Sequence, residues 1–253
     1  MIRGVFFWAG GVIFTVVMAV VFFGALPFFR ARPAIPHLLI KFWAKVLLSL
    51  FCGVRLEVHG DRRVDAAGSY IIVSNHRSHM DILVASAAVP LPFLWLAKSS
   101  LFRIPVIGAA MKRAGYVPVE REKFVAASRS LDRAEEALRR GGSIWIFPEG
   151  TRTPREELGR FKRGAFLLAA RTGRPILPVV LAGTDAIFAG PLKVVPVPVR
   201  VSVLQPLDPA SFERGKRLPG SSPRGKAASR MAEAVRLMIQ EGYDHELGCI
   251  DAP

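Results

Sequence analysis

The chain has 253 residues, a formal net charge of +15, a mean hydropathy of +0.32 and a pI near 10.8. Hydrophobic residues make up 51% of it, which excludes a disordered chain, and two isolated cysteines, Cys52 and Cys249, exclude a disulfide scaffold. The excess of cations indicates an anionic partner, which could be nucleic acid, a membrane surface or a phosphorylated substrate.

An uncharged apolar run of 26 residues, 4–29, follows Arg3. As a helix rising roughly 1.5 Å per residue it would reach about 39 Å, more than a hydrocarbon core of about 30 Å. A helix packed on a domain core would show a polar face, and this run shows none. The run is also too long for the apolar region of a cleaved signal peptide. We therefore predict a membrane helix, spanning or deeply embedded, with room for a kink or re-entrant hairpin near Pro27.

Positive charge lies mainly after this run, so the positive-inside rule predicts that the C-terminal side is cytoplasmic. The next apolar stretch, 37–54, carries Lys41 and Lys45 four residues apart on one helical face. That pattern is typical of a helix in the headgroup plane, or of one packed on the domain core with its lysines in water. Residues 1–54 are predicted to form a membrane-associated helical segment.

From residue 55 onward, short β-rich runs alternate with helical ones. The predicted strands are 54–60, 70–74, 93–97, 116–120, 143–147, 176–182 and 199–204. The predicted helices are 124–140, 164–173 and 229–240, and the Pro/Gly-rich stretch 206–226 predicts a mobile loop. This alternation indicates an α/β or α+β domain around one sheet over residues 55–253. We predict the α/β class, with a single mixed sheet flanked by helices.

His76 and Asp81 follow the predicted strand 70–74, within NHRSHMD. They can meet if His76 lies in the turn and Asp81 in the first helical turn, with Ser78 as the N-cap. Asp81 would then bond one imidazole nitrogen and leave the other as a proton acceptor. The alternative is that Asp81 only caps the helix and His76 is an ordinary surface residue. His79 suggests a metal, but no further cluster completes a metal site.

A second motif, FPEGTR, begins at the last residue of the predicted strand 143–147 and continues into a polar turn. Ligands bind at the carboxyl ends of strands in open α/β sheets, and glycine permits a close approach of the backbone. Arg152 offers a fork of donors suited to phosphate. The alternative is a turn with an exposed Arg–Glu pair.

Two further basic groups stand near predicted elements. GYVPVERE, 115–122, continues a strand into Arg121, and Lys162 and Arg163 precede a helix N-terminus at Gly164. A helix N-terminus flanked by cations can bind an anion, and a solvated basic face is the equal alternative.

These residues resemble the diagnostic blocks of the glycerolipid acyltransferases. NHRSHMD is similar to their N-H-x-x-x-x-D motif and FPEGTR to their second block, while GYVPVER and ILPVV resemble two weaker blocks, all in the family's order within 55–205. Pro118 departs from the aromatic residue that many members carry there. The chain resembles in particular the bacterial 1-acylglycerol-3-phosphate O-acyltransferases, which implies an enzyme at the cytoplasmic face of the inner membrane.

The resemblance implies the reaction and the roles of the residues. An acyl chain would pass from a thioester of coenzyme A or acyl carrier protein to the 2-hydroxyl of lysophosphatidate, giving phosphatidic acid for phospholipid synthesis. His76 would be the general base and Asp81 its orienting partner, and no metal or separate cofactor is implied. The implied acceptor site, with the arginines on the phosphate and Glu149 near the glycerol, comprises Asn75, Arg121, Glu149, Gly150, Thr151 and Arg152.

Direct transfer to the acceptor is expected without an acyl-enzyme. A thioester is already electrophilic, and the chain contains no G-x-S-x-G nucleophile elbow. The tetrahedral oxyanion still needs donors, for which Lys98 and backbone N–H groups near His76 are candidates.

Three alternatives remain at this stage. The acceptor could be another lyso-lipid, such as a lyso-ornithine lipid, since the motifs would look nearly the same. A membrane-tethered nucleic-acid-binding protein would suit the charge, but the cations are scattered and no nucleic-acid-binding motif is present, so no nucleic-acid partner is expected. An inactive lipid-binding relative is disfavoured by the intact His76 and Asp81. The expected partners are membrane lipids, lysophosphatidate and the acyl donor.

Overall fold

The computed structural model describes residues 2–29, 35–60, 64–65, 67–119, 124–153, 157–190, 193–212 and 223–251. The strands are β1 (Arg55–Gly60), β2 (Ile71–Ser74), β3 (Phe93–Lys98), β4 (Val117–Val119), β5 (Ser143–Ile146), β6 (Ile176–Ala182), β7 (Phe188–Gly190), β8 (Lys193–Val194) and β9 (Pro198–Val203). The helices are α1 (Ile2–Gly24), α2 (Ile35–Val46), α3 (Asp81–Ala88), α4 (Ile107–Arg113), α5 (Phe124–Arg139), α6 (Gly164–Thr172) and α7 (Pro223–Asp251).

Seven strands form one mixed sheet in the order β1-β9-β6-β2-β5-β3-β4. The five strands from β6 to β4 are parallel, β9 is antiparallel to β6, and β1 is parallel to β9. β7 and β8 pair as a separate antiparallel hairpin. The predicted mixed α/β domain is confirmed, and each of the seven predicted strands forms within a residue or two of its expected bounds.

The central strands are continuous apolar runs because both faces of the sheet are covered by helices. Alternate side chains of a strand enter opposite cores: Ile72 packs among residues of α2 and α3, whereas Ile71 packs among residues of α5, α6 and α7. Every residue of β2, β5 and β6 is buried. The three strands that precede the polar motifs therefore form the rigid centre of the domain.

Several elements differ from the sequence prediction. α7 extends well beyond the predicted 229–240, because its buried face continues to Tyr243. α4 and the hairpin of β7 and β8 were not predicted, since elements this short carry little periodicity, and of α3 only the first turn, at Asp81, was expected. Of the predicted loop 206–226, the structure shows a short 3-10 turn at Pro209–Phe212 and the start of α7, and residues 213–222 lie outside the described residues.

α1 exposes much of its apolar surface. Its window within Gly4–Gly24 has a mean hydropathy of 2.4 and is only 17% buried, and it is the one helix of the described chain long and apolar enough to cross a membrane. α1 packs on α2 through a hydrogen bond from Trp43 Nε1 to Thr15 Oγ1 of 3.1 Å. At Gly10 a Cβ would lie 2.6 Å from the Phe51 ring, so glycine permits the close packing there.

α2 packs on the domain core through contacts with α3. Lys41 Nζ donates to the carbonyl of Val89, just after α3, at 3.0 Å. Burial, and then the neighbouring Lys45, lower the pKa of Lys41. The expected alternative of core packing therefore fits α2, although Lys41 is half-buried and bonds to a backbone carbonyl. Leu38 and Phe42 of the same helix remain exposed.

Candidate active site

The polar motifs meet at the carboxyl edge of the central strands. β2 lies between β5 and β6, and all three are parallel, so the segments that follow them emerge side by side. His76 follows β2, Phe147 and Glu149 follow β5, and Thr184 follows β6. This is the edge at which ligands bind in open α/β sheets.

His76 and Asp81 form a hydrogen-bonded pair. The distance from His76 Nδ1 to Asp81 Oδ2 is 2.8 Å, and Asp81 is fully buried. His76 lies in the turn and Asp81 is the first residue of α3, so the expected meeting of the two is observed. The predicted N-cap is wrong: Met80 occupies that position, and Ser78 Oγ instead accepts from Met80 N at 3.2 Å.

Further donors fix the Asp81 carboxylate. Oδ2 also accepts from the backbone N–H groups of Arg77, at 2.7 Å, and Ser78, at 2.9 Å. Oδ1 accepts from Thr184 Oγ1 at 2.5 Å. Because a carboxylate accepts hydrogen bonds, the bond to His76 assigns the imidazole proton to Nδ1 and leaves Nε2 as the basic nitrogen.

The imidazole ring is also held by stacking. It lies on the ring of Phe147, with centroids 4.0 Å apart and planes inclined by 13°, and Phe147 in turn stacks on Trp95. The His76 side chain keeps 17% of its surface exposed. These contacts favour an oriented base over the alternative of an ordinary surface histidine.

Glu149 joins the two motif turns from the inside. Its Oε1 accepts from His76 N at 2.9 Å, and its Oε2 accepts from Thr153 Oγ1 at 2.5 Å and from Gly159 N at 2.9 Å. The side chain is only 4% exposed. The prediction that Glu149 lies near the glycerol is therefore wrong, because protein donors already occupy the carboxylate. Glu149 instead positions the His76 turn.

Asn75 also faces the interior. Its Nδ2 donates to the carbonyl of Leu181 at 2.8 Å and its Oδ1 accepts from Leu181 N at 2.9 Å. The side chain is fully buried, so it ties the end of β2 to β6. The prediction that Asn75 contacts the acceptor is therefore wrong, and its role is to position the end of β2.

Gly150, Thr151 and Arg152 form the outer tip of the second turn, and Thr151 and Arg152 are exposed. Gly150 has a φ of +75°, and a Cβ there would lie 2.6 Å from Lys162 Nζ, so glycine is needed on both counts. The guanidinium of Arg152 contacts His79 Nε2. Burial, and then Arg152, lower the pKa of His79.

The tip thus collects cations from two separate sequence groups, Arg152 and Lys162. Arg121 lies outside the described residues. Lys98 is exposed at the carboxyl end of β3, and its role toward the oxyanion stays a prediction. The backbone N–H groups of residues 76, 77 and 78 are engaged with Glu149 and Asp81, so they are not the expected oxyanion donors. In the described part of the chain, no group of three His, Cys, Asp or Glu residues could hold a metal.

Three residues of the site were missed from the sequence. Thr184 stands 103 residues from Asp81, and its one signal is a threonine just after the apolar strand 176–182. Phe147 appeared as the last residue of a predicted strand and the first of FPEGTR, with no role of its own. Arg77 lies inside the first motif, is 7% exposed and donates through Nη1 to the carbonyls of Thr153 and Glu157.

Comparisons with known proteins show the family of the chain. A family model described as acyltransferase matches residues 55–182, just over half of the chain. The chain is 33% identical over 192 residues to a chloroplastic 1-acyl-sn-glycerol-3-phosphate acyltransferase of Brassica napus, covering 74% of this chain and 55% of the relative. It is 36% identical over 146 residues to the 1-acyl-sn-glycerol-3-phosphate acyltransferase of Borreliella burgdorferi, covering 57% of this chain and 58% of the relative.

The chain spans about half the length of the curated relatives that it matches. The crystal structure of the 1-acyl-sn-glycerophosphate acyltransferase of Thermotoga maritima is similar with a TM-score of 0.70 at 23% identity. The similarity covers 94% of this chain and 98% of that chain, and it shows a shared fold.

Proposed function

The chain belongs to the acyltransferase family, and from this premise we propose that it acylates the 2-hydroxyl of 1-acyl-sn-glycerol-3-phosphate, giving phosphatidic acid. The observation that carries the proposal is the pair of His76 and Asp81, 2.8 Å apart at the carboxyl edge of the sheet. The relatives named as 1-acyl-sn-glycerol-3-phosphate acyltransferases support the choice of acceptor.

His76 supplies the base for the reaction. Nε2 takes the proton of the 2-hydroxyl as its oxygen attacks the thioester carbonyl, and Asp81 stabilises the imidazolium that forms. The tetrahedral intermediate then collapses with cleavage of the C–S bond, and His76 returns the proton to the leaving thiolate. General base catalysis of this kind contributes roughly 100- to 10,000-fold. The bonds that fix Asp81 and the stacking on Phe147 keep the ring in place between the two steps.

The exposed tip of the second turn binds the phosphate of the acceptor. Arg152 supplies a guanidinium that can bond two phosphate oxygens, and Lys162 beside Gly150 adds a point charge. Arg121 is assigned to the same phosphate from the family resemblance. A hydrogen bond to a charged group contributes about 1.5 to 3 kcal/mol, which is enough to discriminate against a lyso-lipid without phosphate.

The acyl donor is a thioester of coenzyme A or acyl carrier protein, and the reaction takes place at the cytoplasmic face of the membrane. The apolar α1 supports membrane attachment, and the greater number of cations after the uncharged run supports this orientation. The acceptor and the product are both membrane lipids, so an attached enzyme meets them without extracting either into water.

The test is an acyl-transfer assay of the purified full-length protein. Lysophosphatidate, lysophosphatidylcholine and a lyso-ornithine lipid are offered in turn, each with acyl-CoA and with acyl carrier protein bearing the same chain. We expect phosphatidic acid from lysophosphatidate, and its loss in the His76→Ala variant. The exposed His59 provides the control substitution His59→Ala, which should keep wild-type turnover. Preference for the lyso-ornithine lipid would show that the acceptor assignment is wrong.

A further inference from the structure

An exposed apolar segment, residues 101–107, follows β3 at the same sheet edge as the catalytic turn. Four of its side chains are large, apolar and exposed, at 37% for Leu101, 42% for Ile104, 57% for Val106 and 54% for Ile107. None of them has a role in the reaction described above. We call residues 101–107 the wedge.

The fold holds the wedge in a fixed, outward conformation. Within the wedge the Phe102 side chain is buried, and Gly108 packs so closely that a Cβ there would lie 2.3 Å from the Phe102 carbonyl oxygen. Val106 has a φ of 63° and is the one non-glycine residue with positive φ in the described chain. Ile107 N donates to the Pro105 carbonyl at 2.7 Å, which closes a strained γ-turn around Val106. A branched residue persists in such a turn only where the surrounding structure imposes it.

The charged residues nearest the wedge in the sequence have one sign, and Glu136, which borders the same cavity as Phe102, is paired with Arg139 and Arg140. Residues 82–119 contain no aspartate or glutamate, and they carry four cations, all exposed: Lys98, Arg103, Lys112 and Arg113. Apolar side chains bordered by cations match a bilayer interface, where apolar groups enter the acyl region and basic groups meet anionic headgroups.

The wedge also adjoins the apolar surface of the N-terminal helix. α4 begins at Ile107, and α1 contacts α4. α1 exposes its own apolar side chains, among them Val5 at 68% and Phe6 at 48%. We propose that the wedge is a second membrane contact, by which the α/β domain itself inserts into the interface of an anionic lipid bilayer.

This contact orients the active site. With α1 as the sole attachment the domain could tilt, whereas a second contact at the carboxyl edge turns the catalytic turn toward the lipid surface. An inserted interfacial segment lies roughly 5–10 Å into the boundary between headgroups and acyl chains. The proposal concerns a lipid surface and does not depend on which lyso-lipid is acylated.

The test places a fluorescent probe at the wedge in the full-length protein. The background is Cys249→Ser, because Cys249 is exposed, whereas Cys52 is buried and its thiol pKa is raised by burial to about 12. Ile104→Cys and Ile107→Cys are each labelled with an environment-sensitive dye. The matched control is Leu237→Cys on α7, a position that is 53% exposed. The labelled proteins are reconstituted in phosphatidylcholine–phosphatidylglycerol vesicles whose acyl chains are brominated or unbrominated.

At positions 104 and 107 we expect a blue shift of the emission and quenching of most of the fluorescence by the brominated chains. At position 237 we expect neither effect. The effect at both wedge positions should weaken in vesicles of phosphatidylcholine alone. Equal behaviour at all three positions would overturn the proposal. A change of the dye fluorescence when acyl carrier protein is added, with no change when lipid vesicles are added, would also overturn it, in favour of a protein-docking surface. The fluorescence needs no turnover, so it stays informative if the proposed acceptor is wrong, and circular dichroism checks that each labelled protein is folded.

Discussion

The two motif turns at the carboxyl edge are built in opposite ways. In the catalytic turn, Asp81 is fully buried and accepts bonds from His76, from two backbone N–H groups and from Thr184. In the second turn, Thr151 and Arg152 are exposed, and the contact of Arg152 is to another exposed side chain, His79. Glu149 holds the two turns together from the inside.

The difference indicates that the two turns have separate roles in turnover and in substrate binding. The buried turn fixes one imidazole nitrogen in place, which suits a group that must act repeatedly in one geometry. The exposed tip presents cations that a ligand phosphate can reach. Substitutions in the buried turn should therefore change turnover, whereas substitutions at the tip should change substrate affinity.

The largest effect is expected for His76→Ala. Loss of the base should lower kcat by roughly 100- to 10,000-fold while the fold survives, because the side chain is partly exposed and the other bonds to Asp81 remain. Turnover and the thermal unfolding midpoint are measured together. A folded variant with near-normal turnover would remove His76 from the mechanism.

Arg152→Ala tests the other side of the comparison. Losing one hydrogen bond to a charged group should lower kcat/KM by about 10- to 150-fold, mainly by raising KM for lysophosphatidate. KM for the acyl thioester should hardly change, and Arg152→Lys should rescue only in part, because a point charge cannot reproduce the fork. Arg121→Ala should behave in the same way.

Arg171→Ala is the matched control for this experiment. Arg171 is likewise an exposed arginine with side-chain partners, Asp132 at 3.0 Å and the half-buried Glu135 at 2.7 Å, but it lies in α6 away from the tip. It should keep the wild-type KM. If both Arg152→Ala and Arg121→Ala also keep it, the phosphate assignment fails and a lyso-ornithine acceptor becomes the better hypothesis.

Thr184→Val should have a smaller effect, confined to turnover. It leaves one buried oxygen of Asp81 without its hydroxyl donor while the other three bonds remain, so we expect a loss of about tenfold in kcat. KM should stay constant because Thr184 is fully buried, and Thr184→Ser should restore kcat. Thr172→Val, in α6, controls for loss of a hydroxyl elsewhere. A change in KM at constant kcat would contradict this role.

The smallest effect is expected from salt, which should hardly reduce the amount of protein attached to membranes. Burial of the apolar surface of α1 is not screened by ions, so full-length protein should stay with membranes after a high-salt wash. Sedimentation before and after the wash measures this. Release of the intact chain by salt alone would show that α1 is not inserted.

The sequence predicted the sheet well because its strands are apolar runs between turn residues, and β6 forms over the whole predicted range. The spacing of His76 and Asp81 allowed them to meet, since it needs only a turn followed by a helix, and the family resemblance implied that they do. The sequence did not reveal that Asn75 and Glu149 face inward, because a polar residue beside a motif looks the same whether it contacts substrate or protein. Thr184 could not be predicted, since its contact depends on the order of the strands.

The most direct test of the account is a double-mutant cycle on His76 and Asp81, with kcat measured for His76→Ala, Asp81→Asn and the double variant. Because Asp81 is proposed to act only through His76, at a distance of 2.8 Å, the double variant should lose about as much as His76→Ala alone. Asp81→Asn alone should lose much of the same, through misorientation of the imidazole. A double variant whose loss equals the product of the two single losses would show that the residues act independently, and would contradict the account.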